Sequence, residues 1–280
     1  MHIIQAVLMG IIQGLSEFLP ISSSAHLVFT SNLYKVFANL PVHVNSGEEI
    51  FFDIMVHLGT LVAVLIYFRK DLLNIIKAFV IAINERKWTD VNALLGLYII
   101  IGTLVSVLVA IPINNFAAFL VYKPELVGAF LIITGIVLFC SEKLSKKSTE
   151  KCKDLNFKTA IIMGFVQGLA ALPGFSRSGW TIASGLWNGL DRLSAARFSF
   201  LLSIPIILGA SMVYPIVEID FKECLNYNWH AIVLGTIVSG VVGYFCIKYF
   251  MKFLSKFSMN IFAYYCVFAG LFAVIFFTIN

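Results

Sequence analysis

The hydrophobic positions of this chain fall into long runs separated by short polar segments. Six runs approach or exceed the roughly 20 apolar residues that an α-helix needs to cross a bilayer. They cover Ile50–Phe68, Val91–Ile113, Leu126–Cys140 with its flanks, Phe198–Val217, Trp229–Phe250 and Ile261–Ile279. The pattern predicts an all-α polytopic membrane protein with six transmembrane helices.

Composition supports the same class. Hydrophobic residues make up 60% of the chain and charged residues 12%, with a mean hydropathy of +0.92. A soluble domain carries about twice that share of charge. Met1 and His2 bring no basic charge, and no cleavage site closes a short apolar core, so we do not expect a removed secretory signal. We expect residues 1–280 to form one integral membrane domain.

Basic residues are concentrated in alternate connections between the predicted spans. Sixteen of the 20 lysines and arginines fall there, many of them in the polar stretch Ser141–Lys158, while Lys35, Lys123 and Lys222 lie in the other connections. This is the positive-inside pattern. The net charge of +5 therefore indicates orientation rather than a nucleic-acid partner, and it predicts that both termini lie on the non-cytoplasmic face.

The positive-inside rule places the basic residues on both sides of residues 159–190 in the cytoplasm. This segment must therefore enter and leave the membrane from the same face. Its first arm, Thr159–Leu172, has 14 residues. As a helix it would reach about 21 Å, short of the roughly 30 Å hydrocarbon core. This predicts a re-entrant helix–loop–helix, whose non-helical turn near Pro173–Ser178 must be buried in protein or line a wet cavity.

The amino-terminal segment repeats this design. Residues 9–24 align without a gap on residues 163–178, with seven identical positions that include Gly10/Gly164, Gln13/Gln167, Gly14/Gly168, Ser22/Ser176 and Ser24/Ser178. The charge rule orients the two halves oppositely. The sequence therefore predicts an inverted repeat, about 1–145 and about 155–280, in which the two Ser-rich turns meet near the midplane.

Glu17 and Arg177 are the most informative residues of the two turns, because a charge inside a membrane is costly. A buried ion pair that only joins the hairpins is one interpretation. However, an arginine fork, serine hydroxyls and a helix start together suit a phosphate group, and a nearby carboxylate can hold a cation or move a proton. The glycine pairs Gly10/Gly14 and Gly164/Gly168 are typical of close helix packing.

At these residues the chain resembles the bacterial undecaprenyl-diphosphate phosphatases of the bacitracin-resistance type. The stretch from Gln13 to His26 is similar to the first family signature, and Pro173-Gly-Phe-Ser-Arg-Ser-Gly-Trp-Thr181 is similar to the second, PGxSRSxxT. The resemblance covers essentially the whole chain. It implies hydrolysis of undecaprenyl diphosphate to undecaprenyl phosphate and inorganic phosphate, which recycles the lipid carrier for peptidoglycan synthesis and confers bacitracin resistance.

The resemblance also implies roles for individual residues. The active site is expected to open toward the outer face of the cytoplasmic membrane and to need a divalent cation, Mg²⁺ or Ca²⁺; a homodimer is compatible with it. The implied catalytic residues are Glu17, Ser23, His26 and Arg177; the implied substrate-binding residues are Ser22, Ser24, Gly174, Ser176, Ser178 and Thr181; Glu17 and Gln13 are the candidate metal ligands. Whether Ser23 or His26 attacks phosphorus stays open.

The strongest alternative function is an inverted-repeat transporter or lipid-carrier flippase, because such proteins share this symmetry. It explains less well why one turn carries Glu17 and His26 where the other does not. Asp53 and His57 lie four residues apart near the outer end of the first span. A contribution to the site is one interpretation of them, and packing or interfacial hydration is the favoured one. Lys35, Glu48 and Glu49 are expected in an exposed external loop.

Overall fold

A computed structural model describes residues 2–37, 47–145, 155–218 and 223–279. Within these ranges the chain is helical and has no strand, which confirms the all-α prediction. The α-helices are α1 (Ile3–Ser16), α2 (Ser23–Phe37), α3 (Gly47–Tyr67), α4 (Arg69–Glu85), α5 (Val91–Val121), α6 (Pro124–Ser145), α7 (Phe157–Leu169), α8 (Arg177–Trp187), α9 (Arg192–Glu218), α10 (Trp229–Leu254) and α11 (Asn260–Ile279), with a short 3-10 helix at Glu223–Asn226.

Six helices are long and apolar enough to cross a membrane, namely α3, α5, α6, α9, α10 and α11. They coincide with the six predicted spans, and the protein is a multi-pass membrane protein. The main difference in bounds is that α5 continues through Pro112 to Val121. Proline is tolerated inside membrane helices because neighbouring groups satisfy the freed backbone carbonyl. Helix α9 begins before the predicted Phe198, since the Asp191 carboxylate accepts the amide protons of Leu193 and Ser194 at 2.9 and 3.0 Å.

Helix α4 was not predicted from the sequence, where its residues counted only as a basic connection. It places Ile75 and Ala82 against its neighbours and leaves Leu73 and Ile76 exposed. It packs on α5, and its Asp71 forms an ion pair with Arg197 of α9. The positions are amphipathic with a helical period, which was the available signal.

Two pairs of short helices, α1 with α2 and α7 with α8, lie where the sequence predicts the hairpins, and their re-entrant course in the membrane stays a prediction. The predicted arm Thr159–Leu172 is shifted toward the amino terminus. Helix α7 starts at Phe157 because the Asn156 side chain accepts the Thr159 amide proton at 3.0 Å. It ends at Leu169, after which the chain turns toward Ser176.

Close helix packing at the glycine pairs is confirmed. Helix α1 lies against α10, where a Cβ at Gly10 would come 2.5 Å from the Gly235 carbonyl oxygen. Helix α7 lies against α5, where a Cβ at Gly168 would come 2.7 Å from the Ser106 carbonyl oxygen. Both contacts therefore require glycine.

The partners of these glycines reveal a second match between the halves. The α5 segment Gly102-Thr-Leu-Val-Ser106 and the α10 segment Gly235-Thr-Ile-Val-Ser239 share Gly, Thr, Val and Ser at the same positions. Gly10 meets Gly235 as Gly164 meets Gly102. Equivalent helices of the two halves thus make equivalent contacts, while their opposite orientation in the membrane stays a prediction.

The expectation of an external loop containing Lys35, Glu48 and Glu49 is wrong. Lys35 is buried on α2 and pairs with Glu49 of α3 at 3.2 Å, and Glu48 accepts the Asn228 amide proton at 2.8 Å. These polar groups connect α2, α3 and the start of α10; Lys35 is buried and the two glutamates are half-buried. Residues 146–154, which form half of the basic stretch Ser141–Lys158, lie outside the described residues, as does Lys222.

Candidate active site

The turns of the two hairpins meet in space, as the repeat predicts. Arg177, the first residue of α8, donates from Nη2 to Glu17 Oε1 across 160 positions of sequence. Ser178 Oγ donates to the Leu19 carbonyl at 3.0 Å. The contact therefore joins the end of α1 to the start of α8.

Glu17 accepts several hydrogen bonds at this contact. It directly follows α1, is buried, and uses its second oxygen, Oε2, to accept from Gln13 Nε2 at 2.9 Å and from Ser23 Oγ at 2.7 Å. His57 Nε2 of α3 lies 3.7 Å from the same oxygen. A carboxylate with a guanidinium partner and two further donors is a satisfied buried charge.

The first turn is held in an unusual backbone conformation. Ser22 has a φ of +68°, the left-handed region that non-glycine residues seldom adopt. Its carbonyl accepts from the His26 amide at 3.3 Å and faces His26 Nδ1 at 2.8 Å. Its hydroxyl lies 3.2 Å from Ser24 Oγ. Such conformations persist where surrounding bonds impose them, often at functional sites.

The second turn has matching chemistry. Ser176 caps α8 by accepting the Gly179 amide proton at 3.1 Å, and its hydroxyl lies 3.3 Å from Ser178 Oγ. The pairs Ser22/Ser24 and Ser176/Ser178 occupy equivalent positions of the repeat. Gly174 supplies a φ of +96°. The first residues of α2 and α8 thus lie at the site, and helix starts favour anions.

Thr134 of α6 fixes the second turn and was missed from the sequence. Its buried hydroxyl donates to the Gly174 carbonyl at 3.0 Å and lies 3.3 Å from the Ser176 amide and 3.1 Å from Trp180 Nε1, both donors. A single threonine within an apolar span gives no pattern by which to find it. It is a positioning residue for the turn that carries Arg177.

A cavity of about 450 Å³ opens between the turns. Its polar side contains Glu17, Ser22, Ser23, Ser24, Ser176, Arg177 and Ser178, with Asp53 and His57 of α3. The other side is largely apolar and is formed by α5 and α9. A charged group and an apolar chain of one molecule can therefore be accommodated together.

Comparison with known proteins agrees with this site. Residues 6–272 match the family described as bacitracin resistance protein BacA. The chain belongs to the BacA family. An undecaprenyl-diphosphatase of Methanobrevibacter smithii is 40% identical, covering 97% of this chain and 96% of the relative. That of Halothermothrix orenii is 38% identical over 98% of both chains, and undecaprenyl-diphosphatase 1 of Pseudoalteromonas translucida is 36% identical over the full length of both.

Four of the residues predicted for the site do not line the cavity of this BacA-family protein. Gly174 lies in the second turn and Gln13 on α1. Thr181 is buried, with Oγ1 donating to the Arg177 carbonyl at 2.7 Å and lying 2.5 Å from Ser199 Oγ. Their contacts support the residues that do line it. Any direct role in binding stays a prediction.

His26 is the fourth. Its ring stacks on Tyr265 of α11 with centroids 5.6 Å apart, and Nε2 lies 2.7 Å from the Tyr265 hydroxyl. Nδ1 faces the Ser22 carbonyl, which can only accept, so Nδ1 carries a proton. In the neutral ring, Nε2 then accepts from the Tyr265 hydroxyl. Both ring nitrogens of neutral His26 are therefore engaged away from the cavity.

Asp53 and His57 line the cavity, which agrees with the less favoured of the two interpretations of the sequence. His57 Nδ1 lies 2.6 Å from the Asp53 carbonyl oxygen, which fixes the ring with Nε2 toward Glu17. The available signal was two ionisable residues one helical turn apart inside an apolar span, a rare and often functional feature.

The donor set suits a hard divalent cation completed by substrate. Among the described residues, no group of three or more His, Cys, Asp or Glu side chains forms a protein-only metal site. Glu17 and Asp53 nevertheless place two carboxylates at one cavity, and buried Gln13 Oε1 has no hydrogen-bond partner within the described part of the chain. Mg²⁺ is commonly held by one or two carboxylates together with phosphate oxygens.

Proposed function

We propose that this protein hydrolyses undecaprenyl diphosphate to undecaprenyl phosphate and inorganic phosphate, recycling the lipid carrier for peptidoglycan synthesis. The observation that carries the proposal is the cavity itself, in which Arg177, Glu17 and serine hydroxyls face an apolar wall. Membership of the BacA family and the undecaprenyl-diphosphatase names of the relatives support it. Bacitracin resistance follows from the family.

Arg177 is suited to grip the diphosphate. One of its nitrogens, Nη1, is buried without a partner among the described residues, while Nη2 bonds Glu17. A guanidinium fork matches phosphate oxygens and stabilises the negative charge that accumulates in phosphoryl transfer. Hydroxyls of Ser22, Ser24, Ser176 and Ser178 complete the anion site at the two helix starts.

Ser23 is the nucleophile that the geometry favours. Its Oγ lines the cavity and donates to Glu17 Oε2, the oxygen positioned to take its proton. Attack of Oγ on the terminal phosphorus forms the Ser23–phosphate bond and breaks the bond to the bridging oxygen, so undecaprenyl phosphate leaves. Water then attacks the phosphorus of the phosphoserine and the Ser23 Oγ–phosphorus bond breaks. Glu17 returns its proton to Ser23 Oγ, and inorganic phosphate is released.

A divalent cation is part of this proposal. Glu17 and Asp53 would hold it, with Gln13 Oε1 as a further oxygen, and it would neutralise phosphate charge. Chelation is expected to lower phosphate release by about tenfold or more, and Mg²⁺ or Ca²⁺ should restore it. Full activity in excess chelator, measured after dialysis to remove bound metal, would show that the protein works without a cation.

The hairpins are proposed to be re-entrant, with the active site toward the outer face of the cytoplasmic membrane and both termini outside. Helices α1 and α7 have 14 and 13 residues, so they reach about 21 and 20 Å, less than a bilayer core of about 30 Å. Cysteines introduced at His2 and Thr278 should react with a membrane-impermeant thiol reagent on intact cells. Reaction only after lysis would reverse the orientation.

Phosphate release separates this function from the transporter alternative. The purified protein in detergent should liberate inorganic phosphate from a polyprenyl diphosphate, where no compartments exist to support transport. A Glu17→Gln variant, which keeps the size of the side chain, should be inactive. Lipid movement in vesicles without any phosphate release would instead favour a flippase.

A further inference from the structure

The apolar wall of the cavity contains features that hydrolysis at the turns does not explain. It is built from the end of α5 and the second half of α9, and it contains small or aliphatic side chains such as Ala117, Ala118, Ile207 and Ala210. If the proposed function is correct, a diphosphate held by the turns directs its prenyl chain along this wall. A chain that follows this wall reaches Asn114 of α5 and Tyr214 of α9, which line the cavity and are exposed.

A hydrogen bond joins the two helices at this place. Tyr214 of α9 donates its hydroxyl proton to Asn114 Oδ1 of α5 at 2.8 Å. Both residues line the cavity, and both side chains are substantially exposed at its rim. One exposed hydrogen bond between neutral groups is weak enough to open and close.

Helices α5 and α9 both contain prolines near this hydrogen bond. Pro112 lies two residues before Asn114, and Pro205 and Pro215 lie on both sides of the cavity-lining part of α9. Each proline lacks an amide proton, so the helix loses one backbone hydrogen bond and bends more easily there. The ends of α5 and α9 can therefore separate without disrupting the rest of the bundle.

The wall is also connected to the catalytic turn. Ala117 and Leu120 of α5 pack in one cluster with Leu172, and Phe175 packs against it. These last two residues belong to the turn that precedes Arg177.

We propose that the α5–α9 opening is a lateral gate for the prenyl chain and that the Asn114–Tyr214 hydrogen bond is its latch. A long chain must pass the gate to enter or leave. A short prenyl diphosphate fits within the cavity and does not need the gate to stay open. The proposal rests on the proposed function and adds a dependence on chain length.

The first test removes the latch. Tyr214→Phe deletes the donor and Asn114→Ala the acceptor, so kcat/KM for a long-chain polyprenyl diphosphate should rise, by at most about fivefold for one hydrogen bond. The double variant should match either single variant, because both remove the same bond. The rate with a short, water-soluble prenyl diphosphate should not change. Unchanged long-chain kinetics in both variants would overturn the latch.

The second test locks the gate. In a protein carrying Asn114→Cys and Tyr214→Cys, with Cys140, Cys152 and Cys224 changed to serine, a short bismaleimide should link α5 to α9. Cys246 and Cys266 are buried and can stay. Linking should lower long-chain kcat/KM about tenfold or more and leave the short substrate within about twofold. The single-cysteine variants with the same reagent are the controls.

The outcomes separate the gate from the proposed function. Equal loss with both substrates, or no loss with either, would overturn the gate while the activity of the unlinked protein still establishes phosphate release. Absence of phosphate release from either substrate by the unlinked protein would overturn the proposed function and the gate with it.

Discussion

Replacing Arg177 by alanine is expected to lower phosphate release from polyprenyl diphosphate by about a thousandfold, the loss typical of a donor that stabilises transition-state charge. Arg177 is the only arginine that lines the cavity, among the residues that the structure describes. Its guanidinium group bonds Glu17 through Nη2 and has Nη1 left for the terminal phosphate of the substrate. The effect should lie mainly in kcat, because phosphate charge grows as the bridging bond breaks.

Alanine at this position also leaves Glu17 buried and unpaired, which can cost about 3–5 kcal/mol of stability. Arg177→Lys avoids that difficulty because it keeps a positive charge beside Glu17 while losing the planar fork. We expect Arg177→Lys to remain folded and to lose about a hundredfold in rate.

The matched control is Arg197→Ala. Arg197 also pairs with a carboxylate, Asp71, but the pair is partly exposed and lies away from the cavity. Phosphate release by this variant should stay within about twofold of the unmodified protein, since exposed ion pairs contribute little. Normal activity of Arg177→Lys, together with a normal Arg197→Ala, would remove Arg177 from phosphate binding.

The centre of the site, where the two turns meet, is predictable from the sequence because two independent signals coincide there. The gapless match between residues 9–24 and 163–178 identifies both turns, and Glu17 and Arg177 are charges that an apolar environment does not retain without partners. The pairing of Glu17 with Arg177 follows from the meeting of the turns. The spacing of the repeated residues and the cost of burying a charge were therefore enough to predict the two turns and the Glu17–Arg177 pair.

The residues that support or flank the turns could not be found in this way. Thr134 bonds Gly174 across 40 positions, and Asn114 bonds Tyr214 across 100. Each is a single polar side chain in an apolar helix, and its role depends on which helix packs beside it. The placement of His26 away from the cavity has the same origin, since it depends on Tyr265 of α11.

Replacing Ser23 by alanine is expected to abolish measurable turnover, with a loss of at least about a thousandfold, as for other enzymes that lose their nucleophile. Its hydroxyl is the cavity-lining group that bonds Glu17 Oε2 directly. Ser24→Ala is the matched control. Ser24 is the next residue and also lines the cavity, but its hydroxyl contacts Ser22 instead. We expect that variant to bind substrate more weakly and to retain about a tenth of the rate.

The variants Ser23→Ala and His26→Gln decide between the two candidate nucleophiles when the phosphorylated protein is trapped. A phosphoserine survives acid, whereas a phosphohistidine is lost in acid and survives base. We expect rapid quenching to yield an acid-stable adduct in the unmodified protein and in His26→Gln, and none in Ser23→Ala. His26→Gln should still turn over, more slowly, because the Ser22 turn loses its Nδ1 contact.

An acid-labile adduct that disappears in His26→Gln would assign the attack to His26. That outcome requires the ring to leave Tyr265 and turn into the cavity, because Nε2 accepts from the Tyr265 hydroxyl in this structure. Tyr265→Phe would then raise the rate by releasing the ring. With Ser23 as nucleophile, the same variant leaves the chemical step intact, so the sign of the Tyr265→Phe effect distinguishes the two mechanisms without any trapped intermediate.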